Sequence, residues 1–261
     1  MSGSTQTSTT PFNVTIKNIN ENINIHILEI ENISSEFKTF IDHNLVSIYK
    51  GTRDIDLQLT KQKMSSFLNS KHHNTKMGAI AEFFIHLYLG TNDFKQECLM
   101  DNLEEGSIKK GFDGYYSKED DEWLMESKSG SITTSGISHN GKITEAYNGL
   151  KSLLSGGSTN NPWDNAYNHA SHRDVGARDS IIKNIQTLSD EFDSGVFYEI
   201  KNFNIVPSAT IFYNGSMSVD TDEIIEKLKP IINTFEFKKL EVICISKKSL
   251  DLFINYLNDN S

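Results

Sequence analysis

Arginine is nearly missing from this chain, occurring only at Arg53, Arg173 and Arg178 among 261 residues. The formal net charge is −10 and the isoelectric point about 5.3. Phosphate neutralisation supplies much of the affinity of nucleic-acid binders, so this balance argues against a free-standing, high-affinity one. A local basic strip, metal ions or a basic partner would still let an acidic protein act on a polyanion. Cysteine is scarce too. Cys98 and Cys244 are far apart and build neither a disulfide framework nor a zinc pattern, so a reducing, cytoplasmic setting is expected. No apolar run is long enough to span a bilayer. The polar N-terminus has no apolar signal region. No internal repeat and no phosphate-cradling glycine loop is visible.

An apolar fraction of 37% suits one sizeable core. Residues 1–10 are Ser/Thr-rich and read as a disordered tail, leaving 11–261 as a single domain. Residues 12–30 read as a strand pair. Residues 34–49 carry Phe37, Phe40, Ile41, Leu45 and Ile48 at helical spacing behind a Ser34 or Ser35 cap. Residues 54–70 are amphipathic. With Lys61, Lys63, Lys71, His72, His73 and Lys76 they form the most basic neighbourhood, either a solvated face or a nucleic-acid contact.

Residues 75–89 form the clearest helix, stopped by Gly90, with Glu82 the one acid inside a long apolar run. Gly78 and Ala79, one turn earlier, leave room for a close neighbour. A strand over 94–100 and a charged connection over 101–110 follow. Ser/Thr/Gly-rich 129–141 reads as a loop, 142–154 as a helix and 180–192 as another. Between these helices lies WDNAYNHASHRDVGAR, where a helical run would put His169 beside Arg173 and Asp174 beside Arg178. His169, His172, Arg173 and Arg178 are candidates for phosphate contact. Metal ligation by the histidines and an ordinary polar helix start are the alternatives. Residues 205–213 and 240–246 read as buried strands. Residues 221–235, capped by Thr221 and interrupted at Pro230, and 247–258 read as helices.

The chemistry concentrates in GFDGYYSKEDDEWLMESKSG, residues 111–130. Apolar 112–116 favours strand, 117–122 is a charged turn, and 123–128 alternates. Trp123, Met125 and Ser127 then face one way, and Leu124, Glu126 and Lys128 the other. Close pairing brings Asp113 next to Glu126. Two carboxylates and an ammonium are costly to desolvate together. They suit a hard divalent cation such as magnesium, with the lysine beside it orienting a water.

An Asp near the end of one strand followed by Glu-x-Lys on the next, here Asp113 and Glu126-Ser127-Lys128, resembles the PD-(D/E)XK nuclease superfamily. The proline that often precedes the Asp is replaced by Phe112. The resemblance implies an α/β fold with a restriction-endonuclease-like αβββαβ core over about 75–215, a mixed sheet flanked by helices, and additional N-terminal β/α elements. It implies metal held by Asp113, Glu126 and the Ser127 carbonyl, catalysis by Lys128, and assistance from Glu82 on the helix before the sheet. Magnesium is the implied cofactor, with manganese able to substitute. More narrowly, a compact acidic chain with this site resembles the nuclease subunits of the Hachiman antiphage system, the HamA family. That resemblance implies DNA as substrate and a helicase partner that supplies DNA binding and control, with no membrane involved. RNA as substrate, and a non-catalytic nucleic-acid-sensing subunit of the same fold, remain open.

Overall fold

The computed structural model describes residues 11–100, 111–158, 160–216 and 218–259. The tail over 1–10 and the connection over 101–110 lie outside the described residues. The strand pair expected at the start is β1 (Asn13–Asn20) and β2 (Ile23–Ile30). Helix α1 (Ser35–Lys50) is capped by Ser34, whose hydroxyl accepts from Phe37 N at 3.2 Å. It ends at Gly51, with φ 69°, where a Cβ would lie 2.1 Å from the Asp174 carbonyl oxygen. Only glycine fits that junction. Helix α2 (Leu57–Ser70) follows, capped by Asp56, and then α3 (His73–Gly90).

Strand β3 (Lys95–Gln96) is far shorter than the strand expected over 94–100. Beyond it the backbone bonds elsewhere: Leu99 N donates to His169 Nδ1 and Met100 N to the Ile48 carbonyl. Strands β4 (Gly114–Lys118) and β5 (Asp121–Ser131) form the expected hairpin, with a tighter turn. Ser117 pairs with Glu122 and Lys118 with Asp121, so only Glu119 and Asp120 remain in the bend.

Helix α4 (His139–Leu154) starts three residues before 142, because Ser138 accepts from Gly141 N and caps it there. Helix α5 (Pro162–Ala170) stops well short of Arg178, and α6 (Asp179–Asp193) follows. Next come β6 (Asn204–Tyr213), α7 (Thr221–Ile232), β7 (Lys239–Lys248) and α8 (Asp251–Asn258). The α7 cap is Asp220 rather than Thr221, its carboxylate accepting from Glu223 N at 2.9 Å. The last helix starts later than 247 because β7 runs through Lys248 and Ser249 turns at φ 57°.

The described strands form one sheet in the order β1-β2-β7-β6-β5-β4-β3. Strands β2, β7, β6 and β5 are parallel, and the outer pairs antiparallel. Helices cover both faces, as a parallel centre requires. Helices α1, α2, α3 and α8 pack on one face, through residues such as Ile41, Met64, Phe84 and Phe253. Helices α4 to α7 pack on the other, through Leu150, Trp163, Ile185 and Leu228. Helix α3, β3, β4, β5, α4 and later β6 follow in the expected order, and the N-terminal pair extends the sheet through β7. The result is the α/β fold expected, with a mixed sheet between helical layers.

Lys61 and His139 are basic side chains buried in this frame. Lys61 was read as part of a basic surface, but it is 4% exposed and pairs with Asp42 at 2.7 Å. Its stem and ammonium pack over Tyr256, so it holds α2 to α1 and α8. His139, also buried, shares a 2.9 Å hydrogen bond with Ser246, and burial pushes its pKa down to about 4. An unfolded histidine titrates near 6.5, so its contribution is complete above that pH and is lost as pH falls towards 4. The wild type should therefore lose melting temperature relative to His139→Gln between pH 7 and 5, the difference between the two shrinking or reversing as pH falls. An unchanged pH profile in the variant would contradict this.

Candidate active site

The alternation on β5 places Trp123 and Met125 in the core under α3 and Leu124 in the core under α4. Glu126 and Lys128 share the Leu124 face, as expected. Helix α4 comes close there. A Cβ on Gly149 would lie 3.2 Å from Glu126 Oε1, so the glycine leaves room for the carboxylate. Glu126 is 7% exposed. Its Oε1 accepts from Lys128 Nζ at 2.5 Å, and its Oε2 is buried with no hydrogen-bond partner.

Asp113 sits one residue before β4, whose pairing with β5 begins at Gly114↔Met125. Strand β5 continues past that point while β4 does not. The amide of Ser127 would be left without a strand partner, and Asp113 Oδ2 accepts from it at 2.8 Å. The end of one strand thus sets one carboxylate against the backbone next to the other. Glu82, half-buried on α3, completes the acidic group through its charge.

The electrostatics follow. Burial pushes the Glu126 carboxyl up to about 7, the Asp113 charge adds to this, Lys128 pulls it back, and Glu82 raises it further. Burial pulls the Lys128 ammonium down, but the charge and hydrogen bond of Glu126, with Asp113 and Glu82 behind, hold it above the ordinary lysine value. Tyr116, wholly buried on β4, is pushed well up by burial, Cys98, Glu82 and Asp113. Its hydroxyl shares a short hydrogen bond with His86 Nδ1, one turn beyond Glu82 on α3. An excess of negative charge is therefore held where water is mostly excluded.

Among the described residues, no group of three or more His, Cys, Asp or Glu side chains is arranged to hold a metal ion. The donor set nevertheless fits a hard cation. Magnesium is commonly bound by one or two carboxylates, with water and substrate phosphates filling the remaining positions. The partnerless Oε2 of Glu126 is an oxygen of that kind.

A family model, HamA, matches residues 7–260. The chain belongs to the HamA family. That makes it a component of Hachiman antiphage defence, a system in which HamA works with other subunits. No curated protein and no solved structure shows a significant match.

Asp113, Glu126, Ser127 and Lys128 of this HamA-family chain come together, and Glu82 acts on them. The other four candidates do not join them. His169 is 2% exposed and its Nδ1 accepts from Leu99 N, so it is an internal brace rather than a phosphate contact. Since α5 ends at Ala170, the helical faces expected for 169–178 do not form. His172 Nδ1 accepts from Asp174 N at 3.3 Å, and Arg173 lies exposed beside Asp174. Arg178 donates to the Glu119 carbonyl at the turn of the hairpin, the end opposite Glu126. The room left by Gly78 is also unused, as nothing lies within 4 Å of its Cβ position. Sequence reasoning missed Gly149, Tyr116 and His86. Only the i, i+4 spacing of Glu82 and His86 carried a signal.

In metal-free buffer the folded state binds the Glu126 proton more tightly than the unfolded chain does. Stability is therefore lost as pH rises from about 4.5 through 7, by on the order of 2–3 kcal/mol. Glu126→Gln should melt progressively higher than wild type across this range in EDTA. A constant difference at all pH values would show that the carboxylate is not destabilised by its site.

Proposed function

We propose that this HamA-family chain is a metal-dependent nuclease that hydrolyses DNA phosphodiester bonds. In this reading it is the effector subunit of its defence system and works with a helicase partner. The observation that carries the reading is the Glu126–Lys128 pair, with Glu126 buried and Asp113 bonded to the intervening Ser127 amide just before β4 begins, where β5 runs on beyond it. Structural charge pairs are usually spread over a surface, whereas a strained acid cluster marks a functional site.

Asp113, Glu126 and the Ser127 carbonyl would hold the cation. A bound divalent cation supplies charge stabilisation on the phosphate and eases ionisation of water. Lys128, one strand repeat beyond Glu126, orients the attacking water and stabilises the negative charge that builds on phosphorus-bound oxygen. Asp113, fixed by the Ser127 amide, loses little freedom in taking up its role. Glu82 adds negative charge that favours a cation over an empty site. The acidic balance of the chain as a whole favours DNA delivery by a partner. The superfamily resemblance of the motif and the order of its flanking elements support the same reading.

The assembled defence complex should cut DNA in magnesium and not in EDTA, and Lys128→Ala should abolish the magnesium-dependent cleavage. The variant should remain folded by circular dichroism, with a lower melting temperature at neutral pH because buried Glu126 loses its ammonium partner. Wild-type cleavage by the variant would remove the catalytic assignment and favour a non-catalytic sensing subunit.

Metal binding is testable without turnover. A ligand that binds only the native state stabilises it by about 2.7 kcal/mol at a hundredfold excess over Kd. Millimolar manganese, which binds such oxygen sites more tightly than magnesium, should raise the melting temperature of the wild type. The rise should vanish in Asp113→Asn and Glu126→Gln and shrink in Glu82→Gln. Equal responses in all four proteins would mean that these carboxylates do not form a metal site.

A further inference from the structure

Strand β5 does not end at Lys128. On the α4 face the next residue is Gly130, and a Cβ there would lie 3.3 Å from Lys142 Cε. The end of the Lys142 stem therefore lies beside Ile137 over Gly130, one repeat beyond Lys128 on the same face. Its ammonium is 2.7 Å from Glu145, whose side chain is 53% exposed. The Lys142 side chain itself is 18% exposed, so a packed stem presents its ammonium at the surface, where the pairing with solvent-exposed Glu145 is weak.

On the α3 face, the final residue of β5 is Ser131. It opens into a cleft of about 160 Å³ with His73 and Lys76 of α3, and with Asn214 and Asp251. Lys71 and His72, both exposed, continue the cationic edge beyond it. The carboxyl end of β5 is thus flanked by cations from both helical layers, with Asp251 the one acid in the cleft. The opposite end of the hairpin carries Glu119, Asp120, Asp121 and Glu122 in succession. Arg178 pairs with Asp120 there, and Lys238 and Lys239 with Asp121, so the attraction for a polyanion rests on the cations at the carboxyl end of β5.

We propose that a DNA phosphodiester backbone crosses the carboxyl end of β5, held by Lys142 on the α4 side and by Lys76 and His73 on the α3 side. This rests on the nuclease reading of Glu126 and Lys128, and names the surface that presents substrate to them. Lys128 to Ser131 spans roughly 10 Å at about 3.3 Å per residue, room for several phosphates next to the site. The contacts are to the backbone and carry no sequence preference. They replace the arginines, which the fold places elsewhere.

The test is fluorescence anisotropy of a labelled DNA oligonucleotide with the full chain in EDTA, over a salt series starting at low salt. Lys76→Gln combined with Lys142→Gln should weaken binding at least tenfold and reduce the slope of log K against log salt by about 2. Lys76→Arg with Lys142→Arg should restore both. Lys227→Gln with Lys229→Gln removes the same charge from the exposed face of α7 and should leave both unchanged. Equal losses in the two glutamine pairs, an unchanged slope in the first, or no binding by wild type at low salt would each overturn the proposal. Because no cleavage is measured, the outcome is independent of the Lys128→Ala result. If Lys128→Ala still cuts while the glutamine pair loses binding, the nuclease site is wrong and the DNA path stands.

Discussion

The burial of Glu126 is the constraint on which the arrangement depends. A carboxylate at that depth needs partners, and only Lys128 supplies one directly. Its other oxygen is left unbonded, and Asp113 and Glu82 add charge of the same sign. A fold selected only for stability would place an apolar side chain here, since replacing buried ion pairs is often neutral or favourable. The cost is borne by the surrounding structure. A seven-stranded sheet with helices on both faces holds β5 between β4 and β6, and the strand cannot move to relieve the repulsion.

The site also depends on a mismatch in strand length. Strand β4 is 5 residues long and β5 is 11, so among the described residues the carboxyl half of β5 has a strand neighbour only on the β6 side. Along this part of β5 Asp113 turns back to the Ser127 amide. Parallel pairing with β6 continues through Ser131 and keeps the open half of β5 straight. Helix α4 closes the remaining side, with Gly149 setting how near it comes.

The sequence was most legible where one periodicity ruled. The alternation of Trp123 to Lys128 gave the correct facing of every side chain. The apolar run from Met77 to Leu89 marked α3, and its burial on nearly all sides shows why few polar breaks occur in it. It was least legible where bonds came from distant elements. The strand expected over 94–100 keeps one bond to β4 at Glu97 and then dissolves, because the Leu99 and Met100 amides find α5 and α1. His169 and Lys61 looked like surface cations, but their partners are Leu99, Asp42 and Tyr256, far away in sequence. Local spacing carries no information on such partners.

The residues and their order settled the alternation on β5, the helix carrying Glu82, the α/β class and the family, because these depend on local pattern and on composition. The tertiary structure decided which charged groups meet. It began β4 only at Gly114 and so aimed Asp113 at Ser127, and it brought Gly149 against Glu126. It sent Arg178 to the hairpin turn and carried Lys142 and Lys76 to the carboxyl end of β5. Those outcomes follow from strand lengths and from packing between layers, which join residues that no periodicity relates.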